Sequence, residues 1–258
     1  MDTTAAVKNR LSATLLGQDF SCAKQNDSLL AAYKEMAESY AKIDHSVVVL
    51  SDFQSNRSYI YAGNFGKVLG LNPGNSMIDS SFEEAIFSKI HPDDLIERHV
   101  LELSFFQYQK KQVADQRQKY STSSRIRISN SQGGFIYTNH RIIYLNSLPN
   151  DSVWLSLCVY APSTYLDPHP GIDGKIINNE TGENISFHKY RQFGKMLITK
   201  REIEILGLVA KGMSSKQIAG HLHITEYTVR RHRQNLIYKM QVSNASEAVK
   251  TAMIMGLI

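Results

Sequence analysis

The chain has 258 residues, 42% hydrophobic and 21% charged, as expected of an ordinary soluble globular protein with one large or two modest domains. No apolar run reaches the roughly 18–20 residues of a membrane span. The first twenty residues lack the apolar core and cleavage site of a signal peptide, and a cytoplasmic protein is expected. Two cysteines, Cys22 and Cys158, are too few and too far apart for a disulfide framework or a zinc site, so both are expected to be idle thiols and no metal site is expected.

The net charge of +5 is unevenly placed. From Lys195 to the end there are ten Lys and Arg against four acids, a net of +6, whereas the first 194 residues carry −1. Basic character confined to one terminal module points to a polyanion partner for that module.

In chain order, residues 1–44 form an N-terminal helical segment. Its stretch from Asp27 to Ile43 places Leu29, Leu30, Tyr33, Met36, Ala37 and Tyr40 on one helical stripe, capped by Asp27 or Ser28. The stripe suits packing on its own domain or on a partner chain. Ser46–Phe53 and Arg57–Ala62 read as strands. Asp52 ends an apolar strand, as a phosphoacceptor does, but no earlier acidic pair and no alternating strand–helix pattern supports that role.

Two short helices then lead to Ile90-His91-Pro92-Asp93-Asp94-Leu95. Pro92 fits a first helical turn, and the two aspartates suit the positive end of a helix that runs on to Gln109. Residues 125–129, 135–145 and 153–160 alternate as strands; in the last, Val153, Leu155, Leu157 and Val159 oppose Trp154, Ser156, Cys158 and Tyr160. This order of elements, with the IHPDDL step, resembles a PAS domain over residues 45–162. The resemblance implies an α+β sensor, an antiparallel sheet with helices. No cofactor is expected: Cys158 is on a late strand and Cys22 outside the domain, which does not fit a flavin photosensor. His99, the one helical candidate for a haem ligand, is expected to face solvent, and His140 to be an ordinary core or surface residue. Whether the domain binds a small molecule, a protein or nothing stays open. Three of the six prolines fall in the stretch 161–174, and residues 163–195 read as a linker with a short hairpin around Glu180-Thr181-Gly182.

Residues 196–258 show four helices with their caps. Thr199 with Glu202 and Ser214 with Gln217 are capping boxes; Thr225 caps the third helix, Asn244 with Glu247 opens the fourth, and Gly212, His223 and Gly256 mark ends. A tight turn between the second helix and a basic third one is the helix-turn-helix plan. At about 100° per residue, Val229, Leu236 and Met240 face inward on the third helix. Tyr227, Arg231, Gln234 and Tyr238 face outward, with Arg230 and Asn235 on the flanks. Arg can pair bidentately with guanine, and Gln or Asn with adenine, so these six have the chemistry to read base edges. Lys216, Thr225, Thr228, His232 and Lys239 are placed for phosphates, as is Arg233, which lies nearer the inward side.

The run from Thr199-Lys200-Arg201-Glu202 through LGLVAKGMSSKQIAGHLHITEYTVRRHRQNLIYKM to EAVKTAMIMGLI strongly resembles the LuxR-type helix-turn-helix domain. The resemblance implies an all-α four-helix fold, Arg230, Arg231 and Gln234 at base-contact positions, and Ala248, Val249 and Ala252 on a dimer face of the fourth helix. Arg233 departs from the family, which often has an apolar residue there. With Trp154 as the sole tryptophan, the first three-quarters do not resemble an acyl-homoserine-lactone domain. The reading is a non-enzymatic transcription regulator, a homodimer on double-stranded DNA, that works with the transcription machinery. It is controlled by an N-terminal PAS-like sensor or dimerisation domain, for which a small molecule or a protein is the candidate effector. The alternatives are a cofactor-bearing sensor and a protein-interaction adaptor.

Overall fold

The computed structural model describes residues 3–21, 26–72, 74–167, 171–185, 200–240, 242, 244–254, 257 and 258; within these, the side chains of 3–6, 200, 238, 239 and 254 are not described. Cys22, Thr199 and Gly256 therefore lie outside the described residues. The chain divides into two compact units, Leu11–Ser186 and Phe187–Ile258, the second joined by Met1–Arg10. No helix among the described residues is long and apolar enough to cross a membrane.

The first unit is built on one antiparallel sheet, β1 (Val47–Asp52), β2 (Arg57–Ala62), β3 (Gly74–Ile78), β4 (Tyr120–Ser129), β5 (Phe135–Ser147), β6 (Val153–Pro162), β7 (Lys175–Asn178) and β8 (Asn184–Ile185). Their order is β3-β2-β1-β6-β5-β4-β7-β8. After α1 (Thr3–Leu16), α2 (Asp27–Asp44) lies on the outer face, over Val48, Leu50, Tyr61, Leu157 and Val159. Between the strands come α3 (Asn64–Val68), α4 (Glu84–Phe87), α5 (Pro92–Gln109) and a 3-10 turn, Ala114–Lys119. The apolar β1 run VVVLSD is buried at every position, which requires cover on both faces.

Local chemistry explains the ends. Asn26, not Asp27 or Ser28, caps α2 by accepting the Leu29 N–H. His91 caps α5 through Nδ1, with Pro92 next. The buried Asp94 does more than favour the helix end: its carboxylate accepts from the backbone N–H and the guanidinium of Arg127, which ties α5 to β4. Asp52 is a turn anchor, accepting from Gln54 N, Ser55 N, Ser55 Oγ and Trp154 Nε1.

Four expectations are revised. Met36 and Tyr40 stay 40% and 43% exposed, because the small Ala37 and Ala41 bring α2 onto the sheet along a narrower stripe. Strand β3 has no apolar alternation in GNSMI, and only its pairing with β2 makes it a strand. The turn at residues 180–182 joins β7 to β8, and β7 pairs with β4, so this part of the 163–195 stretch belongs to the sheet and not to a linker.

The fourth is His99, which is fully buried instead of facing solvent, edge-on to Phe87 and 3.2 Å from Arg98 Nη1. Helix α5 is enclosed, and its polar residues answer one another inside. Arg98 donates to Glu102 (2.7 Å) and to Glu83 (3.2 Å), and its guanidinium lies over the Phe87 ring. Tyr160 donates to the same Glu83 oxygen (2.7 Å). Burial pushes the Glu102 carboxyl up despite Arg98, and likewise the thiol of Cys158.

His140, on β5, lies tilted against the Tyr160 ring and is hydrogen-bonded to Ser124 Oγ through Nδ1. Burial, reinforced by Arg98 and His99, holds its imidazole well below the ordinary value of 6.5. A depressed folded value means that the stability is present above 6.5 and lost as pH falls, because the unfolded chain takes the proton first. Acidification below that point is expected to cost up to about 1.4 kcal/mol per pH unit at this residue. The wild-type slope, followed by urea unfolding of Trp154 fluorescence, should exceed that of His140→Gln.

Candidate nucleic-acid interface

The C-terminal unit holds α6 (Lys200–Ala210), α7 (Ser215–Leu222), α8 (Glu226–Met240) and α9 (Ala245–Ile254). Ile205, Leu206, Ile218, Val229, Leu236 and Met240 meet in one core. The joints are set by backbone chemistry. Gly212, at φ 79°, closes α6 with Gly212 N to Val209 O and Met213 N to Leu208 O, a two-bond cap that favours glycine. Ser214 and Gln217 form a complete capping box at α7. His223, at φ 52°, turns the chain between α7 and α8, and Ile224 N bonds Ala219 O behind it. Thr225 Oγ1 accepts from Thr228 N, starting α8. Glu247 N donates to Asn244 Oδ1, starting α9.

This frame sorts α8 by exposure. Val229, Leu236 and Met240 are buried, while Tyr227 is 76% exposed, and Arg230, Arg231, Gln234 and Asn235 are exposed as well. The side chains of Tyr238 and Lys239 lie outside the described residues. Among the described residues, no hydrogen bond or ion pair ties down Arg231. Arg230 instead pairs with Glu226 one turn earlier at 2.7 Å, a contact it would exchange for a base. At the other rim, Lys216 is exposed in the first turn of α7, whose free N–H groups favour an anion. Thr225 is exposed, and Thr228 and His232 are half-buried. The half-buried Arg233 reaches Ser215 Oγ at 3.1 Å, so it links α8 to the start of α7.

The fourth helix corrects an expectation. Ala248 and Ala252 are buried in this unit's own core, and Val249 packs beside it, so these three do not form an open dimer face. Their spacing reads equally well for either partner; the exposed side of α9 carries Ser246 and Met253 instead.

Arg201 is a positioning residue that periodicity does not reveal. Its guanidinium donates to the Leu222 carbonyl at the end of α7 (3.0 Å) and pairs with Glu204 (2.7 Å). A cation at a helix C-terminus satisfies carbonyls that the helix leaves open. Arg201→Ala should cost the unit about 1 kcal/mol, a shift of about 4–8 °C for a domain of this size. Thermal melting of helical circular dichroism in the full chain measures it.

Residues 196–252 match the family model described as bacterial regulatory proteins, luxR family. The response regulatory protein YgeK of Escherichia coli is 43% identical over 60 residues, 23% of this chain and 41% of that protein. The response regulator VraR of Staphylococcus aureus is 44% identical over 62 residues, 24% of this chain and 30% of that protein. The chain thus spans less than half the length of these relatives. Among solved structures, Escherichia coli SdiA aligns over 100% of this chain and 99% of its own, at 15% identity and a TM-score of 0.27.

Proposed function

Because residues 196–252 form a LuxR-type helix-turn-helix domain behind an antiparallel-sheet domain, we propose that the chain is a DNA-binding transcription regulator. In this reading α8 enters the major groove, and Arg231, Gln234 and Arg230, with Tyr227 and Asn235 beside them, read base edges. Lys216, Thr225 and Thr228 hold phosphates at the rim, while Arg233 steadies the two helices. The observation that carries it is the exposed line from Tyr227 to Asn235, set directly opposite the buried Val229, Leu236 and Met240. Two copies would present two recognition helices to half-sites about 34 Å apart. The N-terminal domain is read as a PAS-like sensor that biases this head. Support comes from its element order: two strands, helices, then three long antiparallel strands, with β1 pairing β6.

Selection of bound sequences from random DNA by the full chain tests the reading. Enrichment of a near-palindromic site is expected. Failure to retain any DNA, even at low salt, would leave the helix-turn-helix as a protein-binding module.

A further inference from the structure

We propose that Glu226 is a further specificity-determining residue, which reads one G·C pair together with Arg230. Arg230 takes the guanine, and Glu226 accepts from the amino group of the paired cytosine. The inference rests on the DNA-binding reading above and adds an acid to its base-reading side chains. Glu226 is the first residue of α8 and the one acid in the sequence of α7 and α8. On a helix that also carries Arg230, Arg231, Arg233 and Lys239, a carboxylate opposes the approach of a polyanion unless the complex gives it a partner.

The positive end of a helix accounts for an acid at this place, but not for what its side chain engages. Four residues apart, Glu226 and Arg230 lie about 40° from each other on one flank and about 6 Å apart along the axis. Glu226 Oε1 accepts from both Nε (3.2 Å) and Nη2 (2.7 Å) of Arg230. One edge of the guanidinium fork, of the kind that grips guanine, is therefore held by a single oxygen. The side chains are 41% and 69% exposed, so both can change partners without unpacking the core. An ion pair this open is worth about two-fold in an equilibrium, against about 5- to 150-fold for a bidentate guanine contact. Guanine wins Arg230, and Glu226 is released beside it.

The released carboxylate decides the rest. It can only accept, and among DNA phosphates it is left unpaired unless a base offers a donor. In the major groove a G·C pair presents guanine N7 and O6, both acceptors, and then the cytosine N4 donor. Arg230 with Glu226 offers the complement: donor, donor, acceptor. An A·T pair sets its N6 donor against Arg230 and the thymine O4 acceptor against Glu226. The reversed pair, C·G, presents the right groups in the wrong order. One base pair in one orientation satisfies both side chains.

Selection from random DNA by the full chain, repeated for Glu226→Ala, Arg230→Ala and Arg231→Ala, decides it. Glu226→Ala and Arg230→Ala are expected to relax preference at the same G·C pair, by about five-fold or more for Glu226→Ala. Arg231→Ala should relax a different pair. Thermal melting of helical circular dichroism runs alongside, because a helix-start charge and nothing more would lower melting and leave base preference untouched. That result in Glu226→Ala overturns the proposal, and so does relaxation at a pair that Arg230→Ala leaves intact. A wild type that enriches no sequence removes the DNA-binding reading and this proposal together, an outcome distinct from either variant result.

Discussion

Arg98→Met is expected to cost the N-terminal domain about 3–5 kcal/mol, because it leaves buried carboxylates without their cation. Arg98 is 1% exposed and is the shared donor to Glu83 and Glu102. With Arg98 gone, the cheapest response is for a carboxyl to keep its proton, and burial already pushes Glu102 in that direction. A raised folded value means that stability is lost as pH rises through it, so the defect should deepen above the ordinary glutamate value of 4.5 and shrink towards it. Urea unfolding followed by Trp154, the sole tryptophan, reads this domain separately from the head. Adding Glu102→Leu to Arg98→Met should recover part of the loss, because apolar replacement of both partners removes the stranded charge. Equal midpoints for wild type and Arg98→Met would show that the guanidinium does not hold this interior together.

The second large effect is expected at Arg231. Arg231→Ala should lose about 1–3 kcal/mol on the selected site and relax preference at one base, leaving random DNA little changed. Lys216→Ala should behave differently, weakening every sequence alike and lowering the salt slope by about one phosphate. Arg230→Ala should fall below Arg231→Ala, because binding through Arg230 first breaks its ion pair with Glu226. Competition binding at two salt concentrations separates the three. An unchanged ratio of specific to random binding in Arg231→Ala would remove it from the base-reading set.

The head is largely legible residue by residue because its signals are local. Capping boxes act within four residues, as at Ser214–Gln217, and the 3.6-residue period put Val229, Leu236 and Met240 inside and Arg231 and Gln234 outside. Periodicity identifies an apolar face but not what covers it. That is why Ala248 and Ala252 fit a partner in sequence and their own core in the fold, and why Met36 and Tyr40 stay open.

In the N-terminal domain the strands with β-branched or alternating residues, such as Val47–Asp52 and Val153–Pro162, could be read directly. The polar edges were harder: GNSMI becomes a strand only through hydrogen bonds to β2, and the 175–185 hairpin, legible as a hairpin, joins the sheet only through β4, which belongs to distant sequence. The same holds for charge. Polar residues on a helix normally mark solvent, but Arg98, His99 and Glu102 are buried because Glu83 and Tyr160, far along the chain, complete their bonding. By itself the sequence determined where helices start and stop and which side of α8 carries its basic residues, since those depend on neighbours along the chain. Only the tertiary structure decided which polar groups go inside and which apolar ones stay outside, because the energy of burying a group depends on partners that folding alone brings near.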